Sequence, residues 1–217
     1  MTTTIDNLQC SYSKASGDKI VYMLYPFPLS EEMLDDIASS YGTSVAVITG
    51  MDWDDDMTPW AAPGVPAGCA DFKGDAPAFL TKLQRSVIPA IEKAMVIEAT
   101  ERNLIGVSLS GLFTLWQWMV CDTFHNIASL SGSFWYKGFV DWLEKNCVQK
   151  TGRAYFLLGN LESRTSVPEF KSVDTDTRKV MDILHSQHID ATFESVPGNH
   201  YQYAAERLRK ALDYLYR

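Results

Sequence analysis

The segment Asn103-Leu104-Ile105-Gly106-Val107-Ser108-Leu109-Ser110-Gly111-Leu112-Phe113-Thr114-Leu115-Trp116 constrains this chain more than any other stretch. A short apolar lead ends at Gly106, a serine follows two residues later, and a helical run opens at once. That is the layout of a strand turning sharply into a helix, with a serine hydroxyl at the bend. Such a bend strains the serine backbone and brings neighbouring chain close, so small residues are needed two positions to either side. Gly106 and Ser110 hold those positions around Ser108. A glycine is usual at the second of them, so Ser110 is a departure, with Gly111 one place late. Centring the bend on Ser110 would put bulky Leu112 in a flanking position. Sterics therefore select Ser108 as the candidate nucleophile.

The rest of the chain reads as alternating strands and helices. Residues 1–18 are polar and predict one edge strand or an extended arm. Lys19–Pro28 is an apolar run of β-formers closed by prolines. Ser30–Ala38 has a serine cap and an acidic first turn, hence a helix. Ser44–Gly50 is the next strand. A loop dense in Trp, Pro, Gly and Asp runs from Met51 to Gly74, and its length suggests a functional segment over the active site. Asp75–Met95 has helical spacing, and the Ser108 strand and helix follow. Asn126–Ser133 is a strand, Lys137–Cys147 a helix and Ala154–Gly159 a strand. A loop from Asn160 to Asp174 leads to the helix Asp176–His188 and the last strand, Ala191–Val196. The turn Pro197-Gly198-Asn199-His200 opens a closing helix to Arg217. This alternation predicts a single α/β domain over residues 1–217, with a mostly parallel sheet and helices on both faces.

Hydrophobic residues make up 46% of the chain and charged residues 21%, as in a soluble globular protein. The net charge of −8 argues against nucleic acid or an anionic membrane surface as partner, since both are polyanions. The start lacks a basic segment followed by an apolar stretch, and no run approaches a membrane span. Cys10, Cys69, Cys121 and Cys147 are scattered, which fits reduced thiols in a cytoplasmic protein. No metal-ligand spacing, phosphate-binding glycine loop or nucleotide fingerprint appears, so neither metal nor cofactor is implied.

Chemistry in such sheets gathers at the carboxyl ends of the strands. A serine hydroxyl needs a base there to take its proton. His185 and His188 fall in one helix on its exposed part, and His125 closes the Ser108 helix. His200 alone follows a strand directly. The imidazole in turn needs a carboxylate that fixes its tautomer. Glu162, three residues past Gly159, is the candidate, with Asp174 or Asp141 as fallback acids. The order Ser108, Glu162, His200 matches that expected of an α/β-hydrolase. Oxyanion donors in this architecture are backbone N–H groups. Leu109 supplies one, and Tyr25 or Phe27 the other, with Phe27 preferred. Trp53, Trp60, Phe134 and Trp135 leave strand tips; of these, Trp60 and Trp135 are the best candidates to line a substrate pocket.

Three segments, Gly106–Phe113, Ser131-Gly132-Ser133-Phe134-Trp135 and Pro197–His200, together resemble the putative esterase family, which includes esterase D, feruloyl esterases and trilactone esterases. Asp56-Met57-Thr58-Pro59-Trp60 is similar to a loop of its small bacterial members. The resemblance covers about residues 19–217 and implies an α/β-hydrolase fold that cleaves small or medium acyl esters through an acyl-enzyme. It supports Ser108 and His200, and Gly159-Asn160-Leu161-Glu162 looks like its glycine-x-x-acid segment. Two departures stand out: Ser110 in place of glycine, and an aminoterminal region too short for the extra strands or domain of larger members. The same triad serves thioesters such as S-formylglutathione or a trilactone siderophore, and a hydrolase fold can also persist as a catalytically silent binding protein.

Overall fold

Eight strands make one sheet in the computed structural model, which describes residues 1–217. They are β1 (Thr2–Ile5), β2 (Leu8–Ser13), β3 (Lys19–Leu24), β4 (Ser44–Thr49), β5 (Glu101–Val107), β6 (Asn126–Leu130), β7 (Arg153–Gly159) and β8 (Asp190–Val196). Their spatial order is β1-β2-β4-β3-β5-β6-β7-β8. The first two are antiparallel to their neighbours, and β4 through β8 run parallel. The fold is thus α/β, in the α/β-hydrolase arrangement.

Helices α1 (Glu31–Tyr41), α2 (Trp53–Asp56), α3 (Ala76–Lys82), α4 (Ile88–Met95), α5 (Leu109–Val120), α6 (Phe139–Asn146), α7 (Val173–Ser186) and α8 (Ala204–Tyr216) complete it. Side chains alternate across the sheet, as the strand period of two requires. Ile20, Tyr22, Leu104 and Phe156 join a cluster of 40 buried residues with α3 to α7. Val21, Met23, Ile105 and Leu157 join a second cluster of 17 with α1 and α8. Burial on both faces is why β3, β4 and β7 read as nearly continuous apolar runs rather than alternating ones.

Several sequence expectations need correction. Residues 1–18 form two strands, not one. Asp6 (φ 48°) and Asn7 (φ 67°) make a two-residue turn in the left-handed region that pairs Ile5 with Leu8. The threonines of β1 are polar, with Thr2 and Thr4 exposed and Thr3 half-buried, so no apolar periodicity marks the strand. The helix expected over 75–95 is broken by a π turn at Leu83–Val87. Pro89 cannot donate to the carbonyl of Arg85 and would crowd it, so the chain loosens one turn ahead of it. The 51–74 segment is partly structured, holding α2 and an isolated bridge between Ala62 and Phe72.

Register positions the site. Leu24 pairs with Gly106, Val107 with Leu130, Leu130 with Leu157, and Gly159 with Val196. The residues following β5, β6, β7 and β8 therefore leave the sheet along one common edge.

Candidate active site

Ser108 is the residue between β5 and α5, with φ 56° and ψ −122°. A positive φ is rare for a residue with a Cβ and marks strain held by its surroundings. Gly106 shows why the approach must be glycine: a Cβ there would come 2.2 Å from the Ser110 carbonyl oxygen and 2.3 Å from Thr114 Oγ1. Gly111 takes up the second close approach, against Ser129 and Gly132 of the neighbouring strand end. Ser110 is fully buried and acts as a strap. Its Oγ accepts from Val107 N (2.7 Å) and shares its proton between Leu24 O (2.7 Å) and Val107 O (2.9 Å). The departure from glycine thus ties the start of α5 to the end of β3.

The three distant candidates converge. His200 Nε2 lies 3.1 Å from Ser108 Oγ, and its Nδ1 lies 2.7 Å from Glu162 Oε2. They meet because the loops after β7 and β8 are laced together: Asn160 Oδ1 accepts from Gly198 N (3.2 Å), and Leu161 N donates to Gly198 O (3.0 Å). The Glu162 side chain is only 3% exposed. Burial raises its pKa, but hydrogen bonds from His200, Ser131 and Gly159 outweigh that and hold it below the usual carboxylate range. An ionised Glu162 can only accept, so Nδ1 donates and the Nε2 lone pair faces the serine hydroxyl.

Sequence reasoning missed the supports. Arg207, in the first turn of α8, is buried and donates from Nη1 to Glu162 Oε1 (2.9 Å) and Ser131 Oγ (2.7 Å), and from Nη2 to Asn199 O (2.7 Å). Its Nε has no partner. Ser131 Oγ donates to Glu162 Oε1 (2.7 Å) and Gly159 N donates to the same oxygen (2.7 Å). Ser133 Oγ stands 3.5 Å from Ser108 Oγ, and Ser133 N donates to Ser108 O. Nothing in the spacing marks Arg207 apart from any other helical arginine. Ser131 and Ser133 could have been found, as small polar residues immediately after a strand on the reactive edge.

The remaining candidates divide. Tyr25 N already donates to Ile48 O (3.2 Å), whereas the N–H groups of Phe27 and Leu109 have no acceptor within the chain. The Phe27 side chain is exposed. Ser108, Glu162 and His200 open into a cavity of about 540 Å³, and Trp135 is on its wall with Phe170, their ring centroids 4.6 Å apart. Trp60 is not on that wall, nor is any residue of the 51–74 segment. Trp60 packs instead on Phe139 and Trp142 and donates from Nε1 to Lys137 O (3.0 Å). Trp60 and Phe72 of the segment pack on Tyr136, Phe139 and Trp142, at α6 rather than at the serine. Phe134 is buried core, and Trp53 packs against the larger cluster. Asp174 pairs with Arg178, and His185 Nε2 faces Ala191 O, so neither joins the serine. No group of three His, Cys, Asp or Glu side chains is arranged to hold a metal ion. No helix is long and apolar enough to cross a membrane.

The family described as Putative esterase matches residues 26–213, nearly the whole chain. This chain belongs to that family. The esterase is accordingly an ester-bond hydrolase. It is 26% identical over 171 residues to uncharacterized protein YbbA of Bacillus subtilis, covering 75% of this chain and 68% of that protein. Among solved structures it resembles an IroE-like serine hydrolase from Shewanella oneidensis, with TM-score 0.82, 16% identity, and coverage of 100% of this chain and 79% of the other. It also resembles the siderophore hydrolase EstA from Aspergillus nidulans, with TM-score 0.74, 16% identity, and coverage of 96% and 88%. At these identities the two structural likenesses speak for the esterase's fold.

Proposed function

We propose that the chain is a serine carboxylic-ester hydrolase of the cytoplasm, acting on small or medium acyl esters through a Ser108–His200–Glu162 triad. The observation that carries this reading is the His200 ring, bonded at one nitrogen to a buried carboxylate and at the other to the hydroxyl of a strained serine. His200 Nε2 takes the Ser108 proton as Oγ bonds to the carbonyl carbon. The resulting oxyanion is held by the N–H groups of Leu109 and Phe27, both without an acceptor in the free chain. His200 then gives its proton to the alkoxide, the alcohol leaves, and an acyl-Ser108 ester remains. Water attacks that ester with the same imidazole as base, which releases the acid and restores the hydroxyl. Glu162 stays ionised throughout and stabilises the imidazolium. Trp135 lines the substrate cavity, and the chemistry needs no metal or cofactor.

The test pairs turnover of p-nitrophenyl acetate with labelling by a fluorophosphonate. Wild type is expected to hydrolyse the ester and be labelled at Ser108. Ser108→Ala is expected to lose both, with a rate loss of roughly 10⁴- to 10⁶-fold. A folded wild type that neither turns over esters nor takes the label would be a silent binding protein. Running matched thioesters and a cyclic trilactone beside simple esters separates the other two substrate classes.

A further inference from the structure

We infer that the reactive cavity selects esters bearing a second, ionised acid group, and that Arg164 is the residue that binds it. This rests on the serine-esterase reading above. The chain has eight arginines. Six hold a carboxylate, a carbonyl or both through their guanidinium groups: Arg102, Arg153, Arg178, Arg207, Arg209 and Arg217. Arg85 and Arg164 alone have no such partner. Arg85 lies on the π turn, outside the cavity. Arg164 lies on the cavity wall, two residues beyond Glu162 and in the same cavity as Ser108 and His200.

The other charges of the cavity leave Arg164 unopposed. The single carboxylate on the wall is Glu162, which is already committed to His200 and Arg207. Arg164 is solvent-exposed, and Leu161, Val167, Phe170 and Trp135 form the apolar part of the same cavity wall. A guanidinium presents a planar fork of donors matched to a carboxylate's two oxygens. The chain as a whole carries −8, a field that disfavours approach of an anion. An unpaired arginine on the wall of the cavity that holds the nucleophile is the local feature that offsets this for a substrate of the right shape. The cavity is therefore matched to an ester of a dicarboxylic acid or of a carboxylate-bearing alcohol.

Two pairs of substrates test it, one with the charge on the acyl side and one with the charge on the alcohol side. The first is 4-nitrophenyl hydrogen glutarate against 4-nitrophenyl pentanoate; the second is 4-acetoxybenzoate against 4-acetoxybenzamide. Wild type is expected to favour the anion of one pair by about three- to fivefold in kcat/KM, chiefly through KM, and the advantage should shrink with added salt. In Arg164→Gln that ratio is expected to fall to about one, with Arg164→Lys between the two. A wild-type ratio at or below one in both pairs overturns the inference, as does a preference that survives in Arg164→Gln. If the neutral esters are turned over in a Ser108-dependent way in that case, the esterase reading stands alone. If no ester is turned over and Ser108 takes no label, both fall.

Discussion

Ser108 owes its exposure to its backbone angles, and Gly106 makes those angles reachable. Gly106→Ala would force a Cβ into the Ser110 carbonyl, so a loss of about 2 kcal/mol or more is expected, read from the urea midpoint. Glu162 makes a different residue-level prediction. Its folded pKa is lowered, so ionised Glu162 stabilises the fold above its ordinary value of 4.5, and that stabilisation is lost as pH falls through the lower folded value. Glu162→Gln is accordingly expected to be less stable than wild type at pH 7, with the gap closing on acidification below the ordinary carboxylate range. Urea melts of the two proteins across pH 3 to 7 would check this. A gap that stays constant with pH would contradict it. Ser108, Glu162 and His200 were legible as residues because few side chains of those types follow strands directly. Arg207 was not, because its role depends on which face of α8 turns inward.

At the level of elements, α5 is joined to β3 by a single hydroxyl. Ser110→Ala leaves Leu24 O and Val107 N without their buried partner and is expected to cost about 1–3 kcal/mol. Thermal melts read that loss, and fluorophosphonate labelling of Ser108 should persist. The 51–74 segment gives the contrasting case. Trp60 stacks on α6, so Trp60→Ala is expected to lose about 3 kcal/mol of stability while KM for a small neutral ester hardly changes. A large rise in KM without destabilisation would restore the pocket role suggested by sequence. Composition showed that this loop was unusual but not which surface it covers. Its aromatic residues suit a substrate wall and a helix face equally, and only the packing of Tyr136, Phe139 and Trp142 chooses.

Across the whole molecule, Arg207 draws the ends of β6, β7 and β8 together through Ser131, Glu162 and Asn199. Arg207→Met would leave a buried carboxylate short of its cationic partner and is expected to cost about 3–5 kcal/mol. On the proposed mechanism, loosening of the loops that carry Glu162 and His200 should also lower kcat by roughly ten- to hundredfold, with KM less affected. Denaturation and steady-state kinetics on the same samples would separate the two effects. The sequence by itself determined the alternation of strands and helices, the serine at the bend and the order of the three triad candidates. It could do so because hydrophobic period, capping and glycine demand act over a few residues. Tertiary structure alone decided that the amino-terminal arm is a hairpin, that Trp60 leaves the cavity, and that Arg207 and Ser131 support Glu162. The last two depend on contacts between segments as far apart in the chain as Trp60 and Trp142, whose partners are fixed by strand register and helix orientation and leave no mark on local spacing.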